Sequence, residues 1–257
     1  MKQIIKNFNK YRFLLSELVI KEIKLKYRRS YLGILWTLIE PLLTMIVLTM
    51  VFSNFRGNSN KMFPIFVLSG RLLYSYFANS TKSAMKSIRV NSQMIKKVYV
   101  PKYIYPLASI ISQYITFLIS LVVLVGVAIV LRVKPTFYIF QAIVPLAVLF
   151  LMVLGIGLIL ATLAVFFRDM EYLWGVILML IMYCSAIFYN PDTITNYRWI
   201  LKYNPLYCII LNFRNTVIYG QALDAWSMLY AIGFSVVALV LGIWMFYKKQ
   251  DQFILNI

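Results

Sequence analysis

The apolar residues of this chain come in long blocks separated by short polar stretches, and a bilayer is the solvent in which such blocks are stable on all sides. A hydrocarbon core of about 30 Å is crossed by about 20 apolar residues rising about 1.5 Å each. Six segments of the 257 residues meet that length: 33–52, 63–81, 104–131, 137–167, 172–189 and 228–247. The second is the most polar, with Arg71 and Asn79 inside it, and the fourth is long enough to tilt or break near Pro145. With 62% hydrophobic residues, well above the soluble average, a single membrane domain over 1–257 is the simplest organisation. The expected fold class is therefore all-α: a polytopic membrane protein with six transmembrane helices.

Lys and Arg mark the cytoplasmic flanks of spans. With the amino terminus inside, residues 1–32, 82–102, 168 and 248–249 hold 18 of the 26 basic residues, and the outer segments hold seven. Both termini are thus expected in the cytoplasm. That asymmetry absorbs most of the basic excess, so nucleic-acid binding has no support of its own. Residues 1–11 are polar and basic with no signal-peptide core after them, so the first span is expected to direct insertion.

Before that span, 13–29 reads as an amphipathic helix, with Leu15, Val19, Ile23 and Tyr27 on one stripe and Glu17, Lys21, Lys24 and Arg28 on another. Such a helix lies in the inner interface. The inner stretch 82–105 mixes a short helix with an apolar-basic run ending at Pro101, a place for a cytoplasmic partner to dock. The outer stretch 190–227 is too polar for a span yet has apolar runs at 199–201 and 206–211, which fits short re-entrant or interfacial helices between spans five and six.

Membrane hydrolases and transferases need clustered acids, histidines or an activated nucleophile. Here eight acidic residues are scattered, histidine is absent, and the two cysteines have no metal-site spacing. No catalytic residue and no metal ligand is assigned. Glu40 is the only carboxylate inside a predicted span, so a proton relay is hard to build. No G-x-x-x-x-G-K-[ST] run occurs, so energy from ATP would have to come through another chain. Glu40 and Arg71 are costly in lipid; each faces a conduit or serves structure, Glu40 as a partner of Arg71, in an inter-subunit pair or at an interfacial position, and Arg71 by snorkelling. Tyr74, Tyr76 and Phe77 in the second span, and Tyr183, Phe188 and Tyr189 at the end of the fifth, are either interfacial and packing aromatics or faces for sugar rings.

Four segments in order carry a resemblance: LVIKEIKLKYRRSYLGILWTLIEPLL (18–43), MIKKVYVPKYIYPL (94–107), FFRDMEYLW (166–174) and NPLYCIILNFRNTVIYG (204–220). Together they resemble the ABC-2 family of exporter permeases, in the branch that exports lipid-linked polysaccharides such as O-antigen, teichoic acid, capsule or rhamnose polymers. The resemblance implies a permease in the bacterial plasma membrane that pairs with a separate ABC ATPase subunit and a second copy of itself. It has no cofactor of its own, ATP and Mg being held by the partner. It implies ATPase coupling through Met94, Ile95, Lys96, Lys97, Val98, Tyr99, Pro101, Lys102, Arg168 and Asp169. A conduit for the lipid-linked polysaccharide would use Trp36, Glu40, Arg71, Tyr74, Tyr76, Phe77, Tyr183, Phe188 and Tyr189. An outer gate in 190–227 would use Asn204, Pro205 and Arg214. Family members often have an uncharged residue in place of Arg71 and Trp or Phe near Tyr74, so these two positions are candidates for tuning the substrate. The alternatives are an ABC-2 drug or lipid exporter and, from another class, a membrane glycosyltransferase or an assembly scaffold.

Overall fold

A computed structural model describes residues 2–28, 30–53, 61–98, 100–189 and 198–256, with the side chains of 2–10, Ser53 and Arg198 left aside. Within these residues all regular structure is helical: α1 (Lys2–Tyr27), α2 (Trp36–Ser53), α3 (Phe63–Val90), α4 (Ser92–Lys97), α5 (Ile104–Val130), α6 (Ile143–Phe166), α7 (Met170–Tyr183), α8 (Arg198–Lys202), α9 (Pro205–Val217), α10 (Ala225–Lys249) and α11 (Phe253–Asn256), with short 3-10 turns before α2, α6 and α11. Gly33–Phe52, Ile104–Val130, Phe137–Phe166 and Ala225–Asn256 are long and apolar enough to cross a membrane. The protein is a multi-pass membrane protein, and these four of the six predicted spans meet the length and composition required.

The second predicted span differs for a physical reason. Its helix does not stop at 81 but continues to Val90, turning the first part of the predicted inner stretch into helix. Most of α3 is buried by α2, α5, α6, α7 and α9. Protein shields it from lipid, so hydroxyls are tolerated where they bond the helix's own carbonyls: Ser69 donates to Phe66 O, Thr81 to Phe77 O and Ser87 to Ala84 O. The fifth predicted span holds a helix of only 14 residues, α7. Pro145 does not break the fourth span. It lies in the first turn of α6, where its missing N–H has no ladder partner to lose.

Pro41 lies inside α2, and the helix runs through it. The ring deprives the Thr37 carbonyl of its ladder donor, and Ser120 of α5 supplies another, donating to Thr37 O at 3.1 Å. Such repair by a neighbouring hydroxyl is how membrane helices carry proline. Helices α6 and α10 meet at Gly155 and Gly242: a Cβ on Gly155 would come within 2.4 Å of the Leu239 backbone nitrogen, and one on Gly242 within 2.5 Å of the Gly155 carbonyl. Small residues at the contact let the two backbones touch.

The bundle gathers its short elements at two ends. At one, α4, the turn 167–169 and α11 come together around Phe253, which is fully buried between Phe166 and Phe246. At the other, α8 and α9 pack beside the start of α10.

Candidate functional site

The predicted coupling residues lie at the first of these ends. Met94, Lys96, Lys97 and Val98 are exposed on or just after α4, while Ile95 is buried in a cluster with Leu15 of α1 and Ile104 of α5. This short helix thus presents a mixed face outward and anchors itself with one apolar side chain. Pro101 is half-buried, and Tyr99 lies outside the described residues. Lys102 turns inward, donating to the Gln250 carbonyl with its ammonium 5.9 Å from the Phe253 ring centre. Arg168 and Asp169 are exposed on the turn between α6 and α7. The two predicted pieces are joined through a residue that sequence reasoning missed. Glu171 pairs with Lys86 at 3.0 Å and with Arg89 at 2.9 Å, and Arg89 also donates to Ala164 O at 2.7 Å. The end of α3, directly before α4, is therefore tied to both sides of the 167–169 turn.

The predicted conduit residues divide into three groups. Glu40, Arg71 and Tyr76 share a polar cleft of about 80 Å³ between the end of α1, α2, α3 and α5, with Lys26, Tyr27 and Gln113 beside them. Glu40 and Arg71 are not an ion pair among the described residues. Arg71 faces the Met182 sulfur at 3.7 Å and lies 5.8 Å from the Tyr74 ring centre. Burial raises the pKa of the Tyr27 phenol, and the Glu40 carboxylate adds to it. The Tyr76 ring is packed by Tyr114 and Phe117, and its hydroxyl is buried with no partner. Tyr74 and Phe77 belong to packing: the Tyr74 hydroxyl donates to Leu178 O at 2.8 Å, and Phe77 lies against Trp174. The third group flanks the end of α7, where exposed Tyr183 accepts at its carbonyl from the Tyr189 hydroxyl and Phe188 stacks on Phe52 at 5.4 Å. Trp36 is exposed at the first turn of α2, one turn before Glu40, and does not line the cleft.

Glu22 of α1 was also missed. Its two carboxylate oxygens accept from Ser109 at 2.6 Å and Ser112 at 2.7 Å, which clamps α1 to α5. The exposed stripe is as expected, with Glu17, Lys21, Lys24 and Arg28 all outward.

At the opposite end, residues 190–197 of the predicted gate lie outside the described residues. Asn204 caps α9, accepting from the Leu206 and Tyr207 amides, and its amide nitrogen donates to Cys184 O and Ser185 Oγ. Pro205 fills the first helical position, where no donor is needed. Arg214 is 2% exposed. It makes four hydrogen bonds, to Ser69 Oγ and the carbonyls of Phe66, Ala186 and Ile187, and no described carboxylate pairs with it. Burial pulls its pKa down from the usual arginine range, and the carbonyl acceptors hold the protonated form. Burial pushes the Cys208 thiol up to about 11, so it stays protonated and unreactive.

Residues 14–218 match the model of the ABC-2 type transporter family. The chain is 30% identical to an O-antigen export system permease protein, RfbA, of Klebsiella pneumoniae, over 93% of each chain. It is 25% identical to the RfbA of Myxococcus xanthus over 98% of each, and 24% identical to the polysialic acid transport protein KpsM of Escherichia coli over 91% of this chain and 92% of that one. A family match over residues 14–218, with 30% identity to a relative over 93% of the chain, makes this chain a member of the ABC-2 type transporter family.

Proposed function

We propose that the chain is the membrane permease of an ATP-driven exporter that moves a lipid-linked polysaccharide outward across the bacterial plasma membrane. The observation that carries this reading is its full-length similarity to permeases named for O-antigen and polysialic acid export. The working unit is two permeases with two copies of a separate ATPase, which holds ATP and Mg. Both termini are cytoplasmic, and α3 and α7 complete six spans. At 28 residues α3 is long enough to cross, and its polar groups are tolerated because neighbouring helices cover them.

Met94 to Lys102 with Arg168 and Asp169 receive the ATPase on the cytoplasmic face. The ion pairs of Glu171 carry displacement of α4 into α3 and α7 together. The polar cleft with Glu40, Arg71 and the unpartnered Tyr76 hydroxyl, together with Trp36 and the aromatics at 183–189, lines the path of the glycan. There Arg71 offers charge-assisted hydrogen bonds to phosphate or hydroxyl oxygens, while buried Tyr74 and Phe77 set the shape of the wall. Helices α8 and α9, re-entering from the outer side, form the gate that Asn204, Pro205 and Arg214 hold in place.

The test is ATPase turnover of the complex purified with its candidate ATPase, with and without lipid-linked glycan. Turnover that rises with glycan and falls when Lys96 and Lys97 are replaced by alanine supports the reading. Failure of any P-loop protein to co-purify favours a scaffold or an enzyme.

A further inference from the structure

A second cavity lies apart from the cleft that holds Glu40 and Arg71. It measures about 950 Å³ and opens between α8, α9 and the first turns of α10, within the range of small-molecule sites, about 300–1,000 Å³. Tyr203, Tyr207, Tyr219, Trp226 and Tyr230 line it. Two of these rings are fixed in place: Tyr203 and Tyr230 meet edge to face with centroids 6.3 Å apart, and the Tyr230 hydroxyl donates to Tyr203 O at 2.9 Å.

Between the rings stand polar groups. The side chains of Lys202, Asn215 and Gln221 line the same cavity and make no hydrogen bond or ion pair among the described residues. Asp224 uses one carboxylate oxygen to cap α10 at Ser227 N, 3.2 Å away, and the other makes no hydrogen bond among the described residues. Lys202 and Arg214 against Asp224 leave the lining one cation in excess, and the Arg214 head is already committed to protein carbonyls. Each free amide offers a donor and an acceptor side by side, which matches a hydroxyl that both gives and takes a proton. Aromatic faces with apolar bodies and polar tips complete the requirements of a sugar ring. An interfacial aromatic belt explains rings scattered over a lipid-facing surface; here five rings line one cavity, Tyr207 buried at 8% and Tyr203, Tyr219, Trp226 and Tyr230 36–72% exposed around it.

We propose that this cavity is a sugar-binding site on the outer side of the permease, taking a short stretch of the glycan as it leaves the conduit. The inference rests on the export reading for the origin of its ligand. Arg214 lines the cavity as well as locking α9 to α3, so an occupied site and the position of the gate helix share a wall.

The experiment uses the complete transporter in the membranes of its own host. A benzophenone amino acid replaces Trp226, which is 72% exposed at the rim, or Val240, an exposed residue further along α10. After irradiation, adducts are separated by mass and probed for periodate-oxidisable sugar. A sugar-bearing ladder at 226 and none at 240 is expected. Tyr219→Ala with Gln221→Ala should weaken the 226 adduct roughly two- to tenfold, with melting temperature measured as the control for folding. Phospholipid adducts alone at 226, or none, while the glycan still reaches the cell surface, overturn this site and leave export intact. Surface glycan that persists after deletion of the chain overturns the export reading itself.

Discussion

The Arg214 guanidinium lies 3.5 Å from the centre of the Phe66 ring while its Nη2 donates to the Phe66 carbonyl at 3.0 Å, so one residue of α3 holds the charge by both its ring and its backbone. The same head reaches Ala186 and Ile187, which fixes three segments at one point. Only a planar fork spans those acceptors. Arg214→Lys is therefore expected to lose most of the contacts and to destabilise the protein by about 2–4 kcal/mol. Gly70→Val should behave alike, because even a Cβ at Gly70 would come within 2.4 Å of that Nη2 atom. Thermal unfolding in detergent micelles reads both; a lysine variant that melts with the parent would remove Arg214 as the lock.

The contact of α6 with α10 depends on absent side chains. Since a Cβ on Gly155 meets backbone at 2.4 Å, Gly155→Leu must push the helices apart, at about 1–3 kcal/mol or more for overpacking. Gly175, with nothing within 4 Å of its Cβ position, is the matched control. Equal melting temperatures for Gly155→Leu and Gly175→Leu would contradict the close packing.

Long apolar blocks were enough to locate α2, α5, α6 and α10, because lipid contact demands apolar residues along the whole helix. They misjudged the end of α3, since a helix covered by protein is free to carry Ser69, Thr81 and Ser87 and has no hydropathy edge at its true terminus. Local pattern pointed to the apolar-basic run ending at Pro101 as a surface, and Met94, Lys96, Lys97 and Val98 are exposed, whereas the cap that Asn204 makes on α9 was not read from the sequence. The site was illegible where the partner is far along the chain. Glu22 meets Ser109 and Ser112, 87 and 90 residues away, and Glu171 meets Arg89, 82 residues away. Hydroxyls in apolar helices give no sign of which carboxylate they hold.

Removal of the Glu171 charge separates stability from coupling. Lys86 and Arg89 are 52% and 41% exposed in their pairs with it, and exposed pairs contribute about 0–1 kcal/mol. Glu171→Gln should leave the melting temperature nearly unchanged. Its effect should appear in ATP-driven turnover of the assembled exporter, where the 167–169 turn no longer follows α3. A variant with full glycan-stimulated turnover would show that the pairs carry no motion.

The clamp on α1 makes the last prediction. An interfacial helix held by its apolar stripe alone is free to slide along the bundle, since Leu15, Leu18 and Val19 pack without direction. Two short bonds from Glu22 to Ser109 and Ser112 fix its position along α5. Bonds to a charged acceptor contribute more than neutral ones, although hydroxyl bonds within membranes average less than expected, so about 1–3 kcal/mol is at stake. Glu22→Ala removes both at once, whereas Ser109→Ala leaves one. Backbone hydrogen exchange over 11–27 is the measurement, because local opening registers there even when the bundle stays folded. Protection should fall most for Glu22→Ala and partially for Ser109→Ala, with α6 unaffected. Uniform loss across the bundle would mean that Glu22 supports the whole fold, and unchanged protection that the apolar stripe alone fixes the helix.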